Sequence, residues 1–201
     1  MIRLELVDNN LQKKVVKRII ENHHSYVPSN RSVGRRIDWL IYHSEYENLF
    51  GLQKPIGMIG MGSSVYPPPK DILSYVGMTK SEYKDNFNSF ANNWRYCMIE
   101  SIPNAGSQIL KKFRESALIE WKRKYGDDLK YIITFVGGGN NGAVYKADNW
   151  KLIGETAGLP KHKSSSMKWD NKEELKDKFV KPTGENKKLI FIKKTLTYVH
   201  K

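Results

Sequence analysis

Apolar and polar residues change rhythm along this chain, and each rhythm predicts an element. "IRLELV" at residues 2–7 alternates apolar and charged positions, the period-two pattern of a half-buried strand. Asp8 stands where it would cap the helix that follows, in which Leu11, Val15 and Ile19 recur every four residues and predict one buried face. The polar stretch "ENHHSYVPSNRSVGRR", with Pro28 and Gly34, reads as a long loop. "IDWLIYHS" and "PIGMIGMGSS" read as two strands, and the turn "YENLFGLQKP" between them predicts a hairpin. "PPPKDILSYVG" starts a helix, since proline is tolerated in a first helical turn. "TKSEYKDNFNSFANNW" predicts another, with Tyr83, Phe87 and Phe90 at spacings of four and three and a capping box of Thr79 and Glu82.

The second half has stronger rhythm. "RYCMIESI" reads as a strand and "PNAGSQ" as a tight loop. "SQILKKFRESALIEWKRKYG" predicts a helix of about five turns, with Ile109, Leu110, Phe113, Ala117, Leu118 and Trp121 on one apolar face. Gly126 suits its C-cap, and Lys122, Arg123 and Lys124 complement its negative end. "LKYIITFV" is an apolar strand, "NNGAVYKADN" a short helix, "WKLIGET" a strand, and "KKLIFIKKTLTYV" holds a last strand. This order predicts an α/β (α+β) fold with a central mixed sheet flanked by helices, and a crossover from Arg95 to Val136. Residues 1–160 form its body, with a helical insertion near 67–94. Residues 161–201 are a basic C-terminal segment whose final strand joins the same domain.

Composition narrows the class. The chain has 201 residues, enough for one domain with a substantial core, and 39% of them are hydrophobic, as in a folded protein. Cys97 is the only cysteine, so no internal disulfide forms and a reducing compartment is expected. "MIRLELVDNN" lacks a signal peptide's apolar core, and no apolar run approaches membrane-spanning length. The expected location is the cytoplasm, with no membrane partner.

Charge points to polyanions. The formal net charge is +13, and residues 161–201 hold 12 Lys against 5 acids, a balance of +7. Such a field favours nucleic acid; an acidic cofactor such as coenzyme A would benefit as well. A lysine-rich solvated surface produces the same composition. Arg31, Arg35 and Arg36 bracket Gly34 beside the histidines and suit phosphate oxygens, and Lys161, His162 and Lys163, after the strand "WKLIGET", could clamp a nucleic-acid strand. Trp39, Tyr42 and Tyr66 are candidates for stacking an extruded base, with core packing the alternative for strand residues. His23 and His24, beside Tyr26, are candidate proton acceptors, His24 preferred. Asp38 and Asp148 offer oxygens, but no H-x-x-x-H or cysteine cluster is present, so no metal site is predicted.

Strand, loop with long helix, strand, then a short helix bearing a tyrosine is an order that resembles the GNAT acyltransferases. That resemblance implies an acetyl-CoA or other acyl-CoA-type donor, with its pyrophosphate on the N–H groups of the loop entering the long helix. Here the loop is Pro103, Asn104, Ala105, Gly106, Ser107 and Gln108. The usual Arg/Gln-x-x-Gly-x-Gly/Ala pattern is reduced here to Gly106. It further implies that Tyr145 protonates the leaving thiolate, that Glu100 on the preceding strand is a candidate base, and that Ser101, Ile102 and Asn141 contact the donor. A narrower resemblance covers about residues 22–163. "HHSY" with "VGRRIDWLIY", "IPNAGSQIL" and "FVGGGNNGAVYKADNWKLIGETAG" are similar to GNAT-like proteins grouped with the phage DNA-modification protein Mom and to a domain of Druantia-type phage-defence proteins. The shared pattern falls on Gly142, Tyr145, Ala147, Asn149 and Trp150. It implies transfer of a small acyl-derived group to a nucleobase amine, adenine N6 foremost. An N-acetyltransferase of small-molecule or protein amines, and a non-enzymatic nucleic-acid binder on the same scaffold, remain open. Gly137, Gly138 and Gly139 are then read as the mount that brings Tyr145 over the reacting centre, rather than as a phosphate loop.

Overall fold

A computed structural model of the protein describes residues 1–24, 34–46, 53–158 and 186–195. Seven strands build one sheet: β1 (Ile2–Leu6), β2 (Arg36–His43), β3 (Gly57–Ser63), β4 (Phe90–Met98), β5 (Tyr131–Val136), β6 (Lys151–Glu155) and β7 (Leu189–Lys194). Their order across the sheet is β1-β2-β3-β4-β5-β7-β6. All neighbours are antiparallel except β4 and β5, which run parallel. The helices are α1 (Asn10–His23), α2 (Lys70–Val76), α3 (Lys80–Asp85), α4 (Ala105–Tyr125) and α5 (Ala143–Ala147). The mixed sheet flanked by helices is the fold class that the sequence predicts.

Alternation along the strands divides the core between two faces. On one face, Trp39, Ile59, Ala91, Ile132 and Phe191 meet α4 and α5 through Ile109, Phe113, Trp121 and Tyr145. On the other, Leu40, Met58, Trp94 and Cys97 meet Val16, Ile19 and Ile20 of α1. Phe90, Ile133, Ile190 and Ile192 on that second face take Ile72 of α2 and Tyr83 of α3. Fully buried side chains such as Phe113 and Trp121 each contribute about 2–3 kcal/mol of transfer free energy.

Several local readings are corrected. The N-cap of α1 is Asn9, not Asp8: Asn9 Oδ1 accepts the Gln12 amide at 2.9 Å and Gln12 Oε1 accepts the Asn9 amide. Leu11 is 73% exposed, and the buried face is Val16, Ile19 and Ile20. A strict four-residue spacing advances about 40° per step around a helix, so Leu11 lies well round from Ile19. Helix α1 runs through His23, so the long loop starts later; residues 25–33 lie outside the described residues. The largest shift is in β4. It begins at Phe90 and ends at Met98, whereas "RYCMIESI" spans 95–102, so the helical segment near 67–94 ends at Ser89. Helix α4 starts at Ala105, which puts Gly106 and Ser107 in its first turn. The capping box of Thr79 and Glu82, the α4 face and the left-handed Gly126 cap stand as read.

Candidate active site

β4 and β5 are hydrogen-bonded only over Phe90–Asn92 and Tyr131–Ile133. Beyond Asn92 the two parallel strands part, and a fork opens in the sheet. A bulge sharpens it: Gly60 faces Arg95 while Met61 faces Asn93, so Trp94 is an extra residue on β4. The "GMIGMG" stretch of β3 permits this, because a Cβ on Gly60 would lie 2.3 Å from Trp94 Nε1 and 2.4 Å from Asp38 Oδ1. The Trp94 indole donates to Asp38 at 3.0 Å, and Arg36 pairs with the same carboxylate at 2.6 Å and lies 4.1 Å over the Trp94 ring. Burial nonetheless raises the Asp38 carboxyl above its ordinary value, the Arg36 charge pulling it back in part.

A cavity of about 390 Å³ occupies the fork. Its walls come from the C-terminal end of α1 (His23, His24), from β4 (Asn93 to Met98), from β5 (Thr134 to Val136) and from the loop and start of α5 (Asn140 to Tyr145). At its centre, Tyr145 Oη donates to Asn93 Oδ1 at 2.6 Å. The Asn93 amide nitrogen donates to Gly60 O at 2.8 Å and Arg95 O at 3.0 Å, which fixes the amide so that its oxygen faces the tyrosine. Thr134 Oγ1 donates to Asn93 O at 3.1 Å, joining the strands where the ladder has stopped.

Tyr145 is held from behind. Its ring stacks on Phe191 at 5.7 Å and meets Trp150 edge-on at 5.1 Å. Gly142, at φ 69°, starts α5 against the Phe191 ring, where a Cβ would sit 2.4 Å from ring carbon. After α5, Asp148 takes both arms of the Arg114 guanidinium at 2.7 and 2.8 Å and the Trp150 indole at 2.8 Å. Lys193 donates to Asp148 O and Asn149 O. Asp148, read as a candidate metal oxygen, therefore ties α5 to α4 and β7. Among the described residues no group of three His, Cys, Asp or Glu is placed to hold a metal ion.

The other expected residues fall at different distances from this centre. His24 lines the cavity opposite Tyr145; burial, then Arg95 and Lys188, push its pKa down to about 4, so it is neutral at pH 7. Asn141 is on the wall, where its Oδ1 accepts the Ala143 amide at 3.0 Å. Glu100 and Ser101 are exposed beyond the end of β4, and neither lines the cavity; Ile102 is half-buried against the α4 core. Asn104, at φ 58°, precedes α4 without a side-chain cap, so no side chain of its own claims the first-turn amides of Gly106 and Ser107. A Cβ on Gly106 would meet Val144 Cγ2 at 2.3 Å, so this glycine lets the start of α4 touch α5.

Arg35 pairs with Asp127 at 2.5 Å and packs over Trp121 and Tyr125, away from the cavity. Trp39 is core, edge-on to Phe113 at 5.4 Å; Tyr42 is buried under Arg3, and Tyr66 is 51% exposed beside Phe87. Tyr26, Arg31, Lys161, His162 and Lys163 lie outside the described residues. Sequence reasoning missed Asn93, Arg95, Tyr96 and Thr134. The available signal was the paired asparagines of "FANNW", unusual in a strand and so marking a polar interior. Cys97 also lines the cavity, but burial pushes its thiol up to about 11, which removes it as a neutral-pH nucleophile.

An acyl-CoA-type donor fits the groups present. From Tyr96 to Met98 β4 stays paired with β3 but no longer with β5, so among the described residues its β5-facing edge is open to an extended arm, and the long α4 offers first-turn amides for phosphate. Among the described residues no helix is long and apolar enough to cross a membrane.

Solved structures share this architecture. NAA60 of Arabidopsis thaliana, in complex with acetyl-CoA, aligns over 96% of this chain and 98% of its own, at 13% identity and a TM-score of 0.57. A Desulfovibrio desulfuricans protein assigned to the GNAT acetyltransferases aligns over 98% and 100%, at 7% identity and a TM-score of 0.52. A chain of the NatC complex bound to Gag peptide and CoA aligns over 97% and 99%, at 12% and 0.52. The fold is that of the GNAT acetyltransferases. No curated protein matches the sequence. A family profile described as Druantia protein DruA matches residues 1–188, and the chain belongs to that DruA family.

Proposed function

We propose that the protein transfers an acyl or acyl-derived group from an acyl-CoA-type donor to an amine, and that the acceptor is a nucleobase amine of DNA, adenine N6 foremost, as in Mom. One observation carries the transfer reading: the Tyr145 hydroxyl stands inside the sheet fork, held by Asn93 and faced across one cavity by a neutral histidine. The net charge of +13 supports a DNA acceptor.

Bound, the donor supplies a thioester carbonyl carbon. Asn104 to Ser107 and Asn141 would hold it, with the freed backbone of Tyr96 to Met98. Tyr145 would give its proton to the departing sulfur as a carbon–nitrogen bond replaces the carbon–sulfur bond. To do so it would turn its hydroxyl from Asn93, and the proton that His24 takes from the amine would return through solvent to the Tyr145 oxygen, which then goes back to Asn93. His24 takes the proton that the amine gives up. Its lowered pKa makes it a weak base, and an exocyclic adenine amine is a weak nucleophile. Positioning in the fork therefore contributes more than base strength.

The test is mass spectrometry of nucleosides from cells expressing the protein. A new adenine derivative, lost with Tyr145→Phe, is the expected result. Four unmodified nucleosides alongside a working Mom control would sink the DNA acceptor; donor consumption with small amines would then favour an ordinary N-acetyltransferase.

A further inference from the structure

The two ends of the cavity belong to opposite faces of the sheet. Tyr145 and the start of α4 lie on the α4 face. Arg95 lies on the α1 face: its guanidinium is 4.8 Å over the ring of Trp94, which packs with Cys97 against Val16, Ile19 and Ile20. His24 follows α1 on the same side and lines the same wall. Lys188 stands at the rim: the next residue, Leu189, pairs with Val136 at the end of β5, and Val136 lines the cavity. No aspartate or glutamate is among the described lining residues.

We propose that the α1 side of this cavity is a phosphate pocket for the acceptor, with Arg95 as its main ligand, Lys188 at its rim and His24 as a hydrogen-bond partner. The proposal rests on the transfer reading only for the word acceptor; the binding itself needs no donor. An arginine carries five N–H donors in a planar fork that matches phosphate oxygens, and Trp94 O takes one of them at 2.7 Å. The cation–π contact on Trp94 holds the fork's plane. Burial first, and then the neighbouring charges, disfavour a proton on His24 (Arg95 and Lys188) and on Lys188 (Arg95), so three basic side chains lie close together here. Donor phosphates belong to the α4 start on the other face, so the fork separates two anion sites and the reacting amine meets the donor between them.

The test is calorimetry on the full chain at low salt, with 5′-dAMP, adenosine, the dinucleoside monophosphate dApdA and coenzyme A as probes. We expect 5′-dAMP or dApdA to bind at least tenfold more tightly than adenosine. The monoester binding better assigns the pocket to free nucleotides, the diester to a strand. Arg95→Gln and Lys188→Gln should each weaken that binding about tenfold, Arg95→Lys less, and Lys112→Gln on the exposed side of α4 not at all. Coenzyme A binding should survive Arg95→Gln, with thermal melting by circular dichroism confirming the fold of each variant. The pocket is overturned if Arg95→Gln and Lys188→Gln bind as wild type does, or if Lys112→Gln weakens binding as much. It is equally overturned if coenzyme A displaces 5′-dAMP and loses its own affinity in Arg95→Gln. An unmodified nucleoside spectrum with Arg95-dependent 5′-dAMP binding intact would sink the transfer alone.

Discussion

Tyr145 has one hydroxyl proton, and Asn93 receives it at 2.6 Å. Removing the hydroxyl has two separable effects. Tyr145→Phe should lower transfer by roughly 10²–10⁴, the usual contribution of a positioned acid. It should also cost about 1–3 kcal/mol of stability, because Asn93 Oδ1 loses its donor in a buried site. Measured transfer rates and urea unfolding check the two parts; a variant with unchanged rate would remove Tyr145 from the chemistry. His24 makes a prediction in pH. Its folded-state pKa, about 4, is below the ordinary 6.5. The unfolded chain therefore binds this proton first as pH falls. The stability is fully present above pH 6.5 and is lost progressively down to about pH 4. Urea midpoints at pH 7, 5.5 and 4 should fall more steeply in wild type than in His24→Gln; parallel curves would refute it. Tyr145 was named from the family resemblance and His24 from its place in a polar loop, and both line the cavity. Asn93 and Arg95 were not legible, because their roles depend on a bulge and on a neighbouring strand.

At the scale of elements, legibility followed how far a pattern depends on its own residues. The α4 face was readable since Ile109, Phe113, Ala117 and Trp121 repeat with the helix and all point to one core. "NFNSFANNW" was misread because its aromatics also fit a helical spacing, while asparagine disfavours a strand. Here tertiary hydrogen bonds override that preference: Asn93 is satisfied by Gly60 O, Arg95 O and Tyr145. The glycines before α5 separate into two kinds, which gives a stability prediction. Gly139 has φ 79° and open space around a would-be Cβ, so Gly139→Ala should cost only the left-handed strain, about 1 kcal/mol. Gly142 combines φ 69° with the Phe191 ring at 2.4 Å. Gly142→Ala should cost about 3 kcal/mol, the sum of strain and overpacking, and should displace the ring under Tyr145. Equal melting temperatures for the two variants would contradict this account of how α5 is mounted.

For the whole molecule, the position of β7 between β5 and β6 was invisible in the sequence, because nothing local says which sheet edge a last strand will enter. Charge was visible from the first count, but its placement was not. Lys13, Lys14, Lys17 and Arg18 are exposed on α1, and Lys111, Lys112, Lys122, Arg123 and Lys124 on α4, so these cations divide between opposite faces of the sheet. Arg35 and Arg36 are each matched by a carboxylate, Asp127 and Asp38. The densest excess in the sequence is the +7 of residues 161–201, 12 Lys against 5 acids. DNA bound through such cations would release one set of counterions per phosphate contacted, with a log–log salt slope of about −0.7 to −0.9 for each. Four contacts give a slope near −3, which weakens binding roughly 60-fold between 50 and 200 mM salt. Fluorescence anisotropy of a labelled oligonucleotide across that range measures the slope directly. Replacing Lys161, Lys163, Lys168 and Lys172 by Gln together should pull it towards zero if these four make the contacts (about 0.7–0.9 for each lost contact), while 5′-dAMP still binds through Arg95. If the slope stays near −3 in that variant, the phosphates are contacted elsewhere, and the exposed lysines of α1 and α4 become the surface to substitute. If it is close to zero in the wild type, the protein does not hold DNA by its charge, and the nucleic-acid acceptor falls with it.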